Sequence, residues 1–272
     1  MNGEQRIISA TAFLLDMDGV LVRGSMAIDG SIGFVEHLVA AAIPFQIFTN
    51  NSRFTADDHA ARLSGVGFPV TADHIFTSAM ATAHFIKLQR PGASVFPIGE
   101  AGLTAALTQA GCRVTENAPD YVVLGESLSY HYEYIGMGAR LVANGARFLA
   151  TNPDVNGPTE QGLHPACGAV AALIQAATGK APYFIGKPNP FMMRSVLDKL
   201  KLRAAEAVMV GDRMDTDVLA GLELGLTTAL VLTGVTQRAD IDNFAFRPDM
   251  VGERLADLTR LATGPSAVKE QA

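Results

Sequence analysis

Along this chain, short runs rich in β-formers alternate with longer segments whose apolar residues recur at helical spacing. TAFLLD, PFQIFTN, HIFTS, SVFPIGE, YVVLGE, RFLATN, AVMVGD and TTALVLTG read as strands. GSIGFVEHLVAAA, TADDHAARLSGVG, AMATAHFIKLQRPG, LTAALTQAG, YEYIGMGARLVANG, CGAVAALIQAATG, PFMMRSVLDKLKL and TDVLAGLELG read as helices. Thr55 is the expected N-cap of the second helix, Gly65 or Gly67 lies near its end, and Pro91-Gly92 stops the third. Strict alternation of this kind predicts α/β layering with parallel strands. From Thr236 onward the pattern is expected to trail from packed structure into a polar tail. No repeat of solenoid type and no low-complexity tract is visible.

Chemistry-capable residues sit where apolar strands end: Asp16 after FLL, Thr49 after FQIF and Asp212 after VMVG. Open parallel sheets bind ligands at that edge. Those strand ends are separated by a middle segment with strands and helices of its own, and one sheet of a dozen strands is less economical than an insertion. The expected architecture is therefore a Rossmann-like, doubly wound parallel core of residues 1–90 and 182–272, interrupted by a large inserted α/β domain of residues 91–181.

Composition narrows the partners. The 272 residues suit one large or two modest domains, and 49% hydrophobic with 18% charged residues argues for a sizeable core. A net charge of −6 speaks against nucleic-acid polymers and anionic membranes, while leaving room for a small basic pocket. Cys112 and Cys167 make no disulfide framework and no zinc cluster. Cys167, beside glycine in HPACGAV, reads as a small buried thiol rather than a nucleophile paired with His164. No apolar run reaches the ~18 residues of a membrane span and no signal pattern opens the chain, so a soluble, cytoplasmic protein is expected. A homo-oligomer stays open.

FLLDMDGVLV carries an apolar strand into two carboxylates two residues apart, Asp16 and Asp18. Taken alone this is either a solvated turn or a site where a cation offsets two like charges. Three further stretches decide between them. FTNNSR supplies Thr49, Asn50, Asn51, Ser52 and Arg53; GKPNP supplies Lys187; GDRMDTD supplies Asp212, Asp215 and Asp217. Carboxylates from two strands, one lysine and one hydroxyl are what metal-assisted phosphoryl transfer needs. One carboxylate attacks phosphorus, Mg²⁺ cancels the repulsion between anionic nucleophile and anionic substrate, and Lys187 and Thr49 hold the remaining oxygens. Asp18 is then available to protonate the leaving oxygen and activate water.

DMDGV, FTNNS, GKPNP and GDRMDTD, in that order and each at a strand end, resemble the four motifs of the haloacid dehalogenase superfamily of phosphatases. TSAMATA, VANGARFLATNPD, HPACGAV and YFIGKPNP are similar to its NagD-like, p-nitrophenyl phosphatase branch, and the similarity covers residues 12 to 250. The resemblance implies that Asp16 is the nucleophile and a Mg²⁺ ligand. It makes Asp18 the general acid/base, touching the metal through its backbone carbonyl, and Asp212 the third protein ligand. Thr49, Asn50 and Lys187 would bind phosphate, and Asp217 would orient the lysine or a metal-bound water. The TNPD loop, through Asn152 and Asp154, would read the leaving group together with Asn51, Ser52 and Arg53. Asn51-Ser52-Arg53 departs from the aromatic and proline of the NagD pattern and reads as in phosphoglycolate and pyridoxal-phosphate relatives. Asp215 matches no motif position and reads as a helix N-terminal charge.

The implied function is a Mg²⁺-dependent phosphatase of small phosphomonoesters, acting through an aspartyl-phosphate on nucleoside monophosphates such as UMP. Sugar phosphates, phosphoglycolate and pyridoxal phosphate are the other substrates, and a phosphomutase is the alternative activity. A dehalogenase needs neither Asp18 nor Asp212. A non-catalytic relative would have lost a motif residue, and none is missing. DRMDTD lacks the glycine and terminal glutamate of a calcium hand loop, and no GxGxxG follows the first strand. No histidine falls in a motif; His37, His59 and His84 lie in helical patterns.

Overall fold

The computed structural model describes residues 11–159 and 162–261. Among them, two compact units are built from interleaved stretches of chain. The first takes residues 11–49, 59–76 and 193–261; the second takes Asn50–Asp58 and Thr77–Met192.

The sheet of the first unit has six strands in the order Met250–Gly252, Thr227–Val231, Ala207–Gly211, Ala12–Asp16, Phe45–Thr49, Ile75–Thr77. Every pairing from Met250–Gly252 through Phe45–Thr49 is parallel. The four long strands are buried along their whole length, which is why they read as unbroken apolar runs rather than alternating ones. The chain leaves Ala12–Asp16 toward one side of the sheet and later returns to its other side at Ala207–Gly211. That reversal is the topological switch point, where ligands bind in open α/β sheets. Leu15 is level with both Ile47 and Val210, so Asp16, Thr49 and Asp212 all fall at the carboxyl edge.

The second unit carries a five-stranded, all-parallel sheet in the order Tyr183–Phe184, Arg147–Ala150, Tyr121–Leu124, Ser94–Ile98, Arg113–Val114. Side-chain alternation sorts its strands onto two faces. Val95, Tyr121, Val123 and Leu149 pack with Ala79, Ala83, Ile86, Leu103 and Leu107 of the helices Ser78–Gln89 and Ala101–Gln109. Phe96, Val122, Leu124, Phe148 and Ala150 pack with Ile135, Val142, Val170 and Ile174 of Tyr132–Ala143 and Cys167–Thr178. Helices thus cover both faces, and each free cysteine is buried, Cys112 on one face and Cys167 on the other.

Local signals explain several boundaries. Thr55 Oγ1 accepts the Asp58 N–H at 3.1 Å while Asp58 Oδ2 accepts the Thr55 N–H at 3.0 Å, a reciprocal cap for Ala56–Gly65. Ser78–Gln89 ends immediately before Arg90, Pro91 and Gly92. Gly179 closes Cys167–Thr178 in the left-handed region at φ 71°. Other features depart from expectation. The segment after Thr236 does not simply trail off: Met250–Gly252 adds an edge strand, with Val251 paired to Leu230. Val22–Arg23 pairs antiparallel with Met26–Ala27, and Asn156–Thr159 pairs antiparallel with Gly162–Pro165. The helix expected over TDVLAGLELG opens as a wide π-type turn, Met214–Val218, before Leu219–Leu224. The polar tail beyond residue 261 lies outside the described residues.

Gly102 opens the helix Ala101–Gln109 against the loop at Arg53, whose carbonyl accepts its N–H at 2.9 Å. A Cβ there would lie 2.5 Å from the backbone carbon and oxygen of Phe54, atoms that cannot rotate away. Gly102→Ala is expected to destabilise the protein by about 1–3 kcal/mol, as overpacking does. Urea denaturation would read this as a lower midpoint at unchanged slope.

Candidate active site

In the first unit, ligand oxygens of Asp16, Asp212 and Asp217 all lie within 4.8 Å of one another, and the three residues are buried. Asp16 ends its strand and Asp212 follows Ala207–Gly211, so the two flank the switch point. Asp217 is brought in by the wide turn. Its Oδ2 accepts the N–H groups of Asp212 at 3.2 Å and Arg213 at 3.1 Å. That approach requires glycine at 211, where a Cβ would stand 2.1 Å from the Asp217 Cβ. Asp212 Oδ2 accepts the Val235 N–H at 2.7 Å. Two more glycines make room for this carboxylate: a Cβ at Gly19 would meet Oδ2 at 2.5 Å and one at Gly234 at 1.8 Å. Gly19 has φ +88°, and its carbonyl accepts the Thr233 hydroxyl at 2.6 Å. Thr49 is buried at the same edge, whereas the Asp18 side chain is exposed in the turn after Asp16.

Three carboxylates this close repel by several kcal/mol per pair at an effective dielectric of about 20. A hard divalent cation removes that repulsion, and an all-oxygen set without histidine or cysteine fits Mg²⁺ better than zinc. Asp215, which matched no motif, makes a two-pronged ion pair with Arg213 at 3.0 and 2.9 Å.

In the second unit, Asn50 is the junction. Its Oδ1 accepts the Lys187 N–H at 2.9 Å and its Nδ2 donates to the Lys187 carbonyl at 3.1 Å, while Nδ2 also donates to Asp154 Oδ2 at 3.1 Å. The Asn50 carbonyl accepts from the Ser78 hydroxyl at 2.6 Å and from Asn152 Nδ2 at 2.9 Å. Lys187 is buried, and its bond to Pro188 is cis. Gly186 is required beneath it, since a Cβ would meet the Thr151 carbonyl at 2.4 Å and Asn50 Oδ1 at 2.5 Å. Ser52 and Asn152 are fully buried; Asn51, Arg53 and Asp154 are half-buried. Asn51 Oδ1 accepts the Arg53 N–H at 3.0 Å, and the guanidinium lies 4.9 Å above the Phe54 ring with Nε 3.5 Å from Glu100 Oε1.

Glu126 joins this group, and the motif reading missed it. Its N–H donates to Ser52 Oγ at 2.8 Å, and its Oε2 accepts the Ser52 N–H at 3.3 Å. The Thr151 hydroxyl donates to the same Ser52 Oγ at 3.1 Å. Burial, then the Asp154 charge, push the Glu126 carboxyl up from 4.5 to about 7, against hydrogen bonds from Ser52 and Asn152 and the charge of Arg53. Its signal was present, because YVVLGE puts a carboxylate after an apolar strand just as FLLD and VMVGD do. Cys167 is buried 3.7 Å from the Thr151 hydroxyl with its thiol pushed up to about 12, which removes it as a nucleophile.

Residues 13–113 match the family model of haloacid dehalogenase-like hydrolases, and residues 184–258 match a second HAD-hydrolase-like model. Together these span more than half of the chain. It belongs to the haloacid dehalogenase-like hydrolases. Within that family the chain is 48% identical over 247 residues to the dihydroxyacetone phosphatase of Corynebacterium glutamicum, covering 91% of this chain and 90% of the relative. It is 40% identical over 245 residues to the ribonucleotide monophosphatase NagD of Escherichia coli, covering 90% and 96%. The crystal structure of 4-nitrophenylphosphatase from Thermotoga maritima superposes with a TM-score of 0.90 at 33% identity, covering 94% of this chain and 98% of that one. The chain is therefore a NagD-like haloacid dehalogenase-like phosphatase, a phosphoric monoester hydrolase acting on small phosphate substrates. No helix among its described residues is long and apolar enough to cross a membrane.

Glu126 makes the stability of this hydrolase depend on pH. Its folded-state pKa lies above the ordinary value, so between 4.5 and about 7 the folded protein keeps a proton that the unfolded chain releases. The stabilisation is complete below 4.5 and is lost as pH rises through about 7. Glu126→Gln should flatten the fall in melting temperature between pH 5 and 8, read by calorimetry at about 1 °C resolution.

Proposed function

We propose that this phosphatase is Mg²⁺-dependent and works through a covalent aspartyl-phosphate on Asp16. The buried Asp16–Asp212–Asp217 cluster at the switch point carries this reading. Asp16 and Asp212 would hold the ion with the Asp18 backbone carbonyl, and Asp217 braces the loop that presents Asp212. The ion would neutralise charge between the nucleophile and the phosphoryl oxygens.

In the first step an Asp16 oxygen bonds to phosphorus, the ester P–O bond breaks, and Asp18 gives its proton to the departing oxygen. In the second step Asp18 takes a proton from water, whose oxygen attacks the same phosphorus. The bond to Asp16 breaks and inorganic phosphate leaves. Exposure of the Asp18 side chain suits a group that must meet both leaving group and water. Thr49, Asn50 and Lys187 are assigned to the phosphoryl group; the Asn50 amide, held between the Lys187 main chain and Asp154, supports its part in placing that lysine.

Residues 1–90 with 182–272 would form the catalytic core, and residues 91–181 the cap that selects the leaving group. Asn51, Ser52, Arg53, Asn152 and Asp154 are assigned to that selection. The buried Ser52 and Asn152 would hold its surface in shape, and Asp154 and Arg53 would meet the substrate. Nucleoside monophosphates such as UMP are supported by the NagD relative and triose phosphates by the dihydroxyacetone phosphatase relative.

Asp16→Asn preserves size and hydrogen bonding while removing the nucleophilic charge. Phosphate release from p-nitrophenyl phosphate should fall below about a tenth of wild type, a barrier rise above 1.4 kcal/mol, with the melting curve intact; a variant retaining more would overturn the covalent route. EDTA should abolish turnover and added Mg²⁺ restore it. Full activity in chelated buffer would remove the metal from the reaction.

A further inference from the structure

The sheet of the second unit repeats the layout of the first. It is parallel throughout, and the chain leaves Ser94–Ile98 for Arg113–Val114 on one side before crossing to Tyr121–Leu124 on the other. Its own switch point therefore lies between Ser94–Ile98 and Tyr121–Leu124. Ile98 is level with Leu124 and Leu124 with Ala150, so the residues two beyond each strand end, Glu100, Glu126 and Asn152, fall at one level of the carboxyl edge. Asp154 follows on the same loop, and Arg53 comes in from the Asn50–Asp58 stretch of the same unit.

These side chains have the makings of a recognition surface for one kind of group. Glu126 is fixed from two directions by Ser52, through bonds of 2.8 and 3.3 Å, and by the Asn152 amide. Asn152 is itself fixed on the Asn50 carbonyl at 2.9 Å, and its Oδ1 accepts the Asp154 N–H at 3.1 Å. Glu126 and Asp154 nonetheless stay half-buried, so part of each remains open to solvent. Among the described residues, the charges that act on Glu126 are Asp154 and Arg53, and beside it lie the Tyr130 hydroxyl and Cys167 thiol, which burial keeps neutral. Glu126 thus stands between a second carboxylate, Asp154, and the Arg53 guanidinium, which already lies 3.5 Å from Glu100. Such a surface repels an anionic leaving group, while its fixed acceptors and shared protons suit hydroxyls.

We propose that Glu126 is a specificity-determining residue that, with Asp154, hydrogen-bonds the hydroxyls of an uncharged polyol leaving group and discriminates against phosphomonoesters whose leaving group carries a carboxylate. The inference rests on the reading of loop 151–154 as the leaving-group selector and adds to it the residue and the substrate class. A site built to hydrogen-bond a hydroxyl rejects partners lacking it far better than an apolar pocket does. Carboxyl against carboxylate adds direct repulsion, which grows as Glu126 ionises.

The test measures kcat/KM for glycerol 3-phosphate, dihydroxyacetone phosphate, UMP, phosphoglycolate and phosphoethanolamine, each divided by the same protein's value for p-nitrophenyl phosphate. Wild type should favour the best uncharged polyol over phosphoglycolate by about tenfold or more, and that ratio should widen severalfold from pH 6 to pH 8. Glu126→Gln keeps the shape and loses the charge; it should raise relative phosphoglycolate turnover by about tenfold and flatten the pH dependence of the ratio. A wild-type ratio that does not move with pH, a Glu126→Gln variant with unchanged relative rates, or phosphoethanolamine as the best substrate would each overturn the proposal. Asp154→Ala separates it from the reading beneath. If Asp154→Ala shifts the relative rates and Glu126→Gln does not, the loop selects and Glu126 is a structural acid. If neither shifts them, the loop reading falls as well.

Discussion

Crowding of like charge governs the carboxyl edge of the six-stranded sheet. Asp16, Asp212 and Asp217 are held with ligand oxygens within 4.8 Å, buried, by a sheet and a turn that give them little room to separate. The fold accepts this through small residues and backbone donors. Gly19, Gly211 and Gly234 leave space where any side chain would strike a carboxylate, and the N–H groups of Asp212, Arg213 and Val235 point at carboxylate oxygens. Hydrogen bonds to anions are among the stronger ones, but three do not cancel three charges. The arrangement makes physical sense around a hard divalent cation.

The second unit shows how a lysine is aimed by an amide. Asn50 is bonded to both main-chain groups of Lys187, so rotation of that residue is opposed at two points. The same amide reaches Asp154, and the Asn50 carbonyl receives Asn152. One residue therefore links the lysine assigned to phosphate with the loop assigned to the leaving group. Substitution of such a junction disturbs groups that are far apart in sequence but share its hydrogen bonds, and its effects would not add to theirs.

Much of this was legible in the residues. Strands buried on both faces announce themselves as apolar runs, and Asp16, Thr49 and Asp212 stand out because a polar residue ending such a run has few other reasons to be there. Glu126 carries the same signature in YVVLGE but lies outside the four family motifs. The wide turn at Met214–Val218 was hidden because a π-type turn and an α-helix share nearly the same apolar spacing over five residues. Two-residue strands such as Val22–Arg23 are too short to show any period, and Met250–Gly252 takes its identity from pairing with Thr227–Val231 rather than from its own composition. Burial of Ser52 and Asn152 is likewise a property of their neighbours: both are polar residues in polar loops, and only hydrogen bonds to distant backbone make them interior.

The two sheets differ in how they draw on the chain, and the difference reaches back to synthesis. The five-stranded sheet takes every strand from one uninterrupted stretch, Ser94 to Phe184, whereas the strand Ala12–Asp16 must find its neighbour Ala207–Gly211 across nearly the whole polypeptide. On a ribosome the later sheet can close while the earlier one is still half made, because chains emerge from the N-terminus and non-local pairings wait on their partners. Until Ala207–Gly211 arrives, the Ala12–Asp16 strand presents an open edge that is apolar up to Asp16. Such an edge is a template for wrong pairing, and its exposure ends only when the last quarter of the chain comes home.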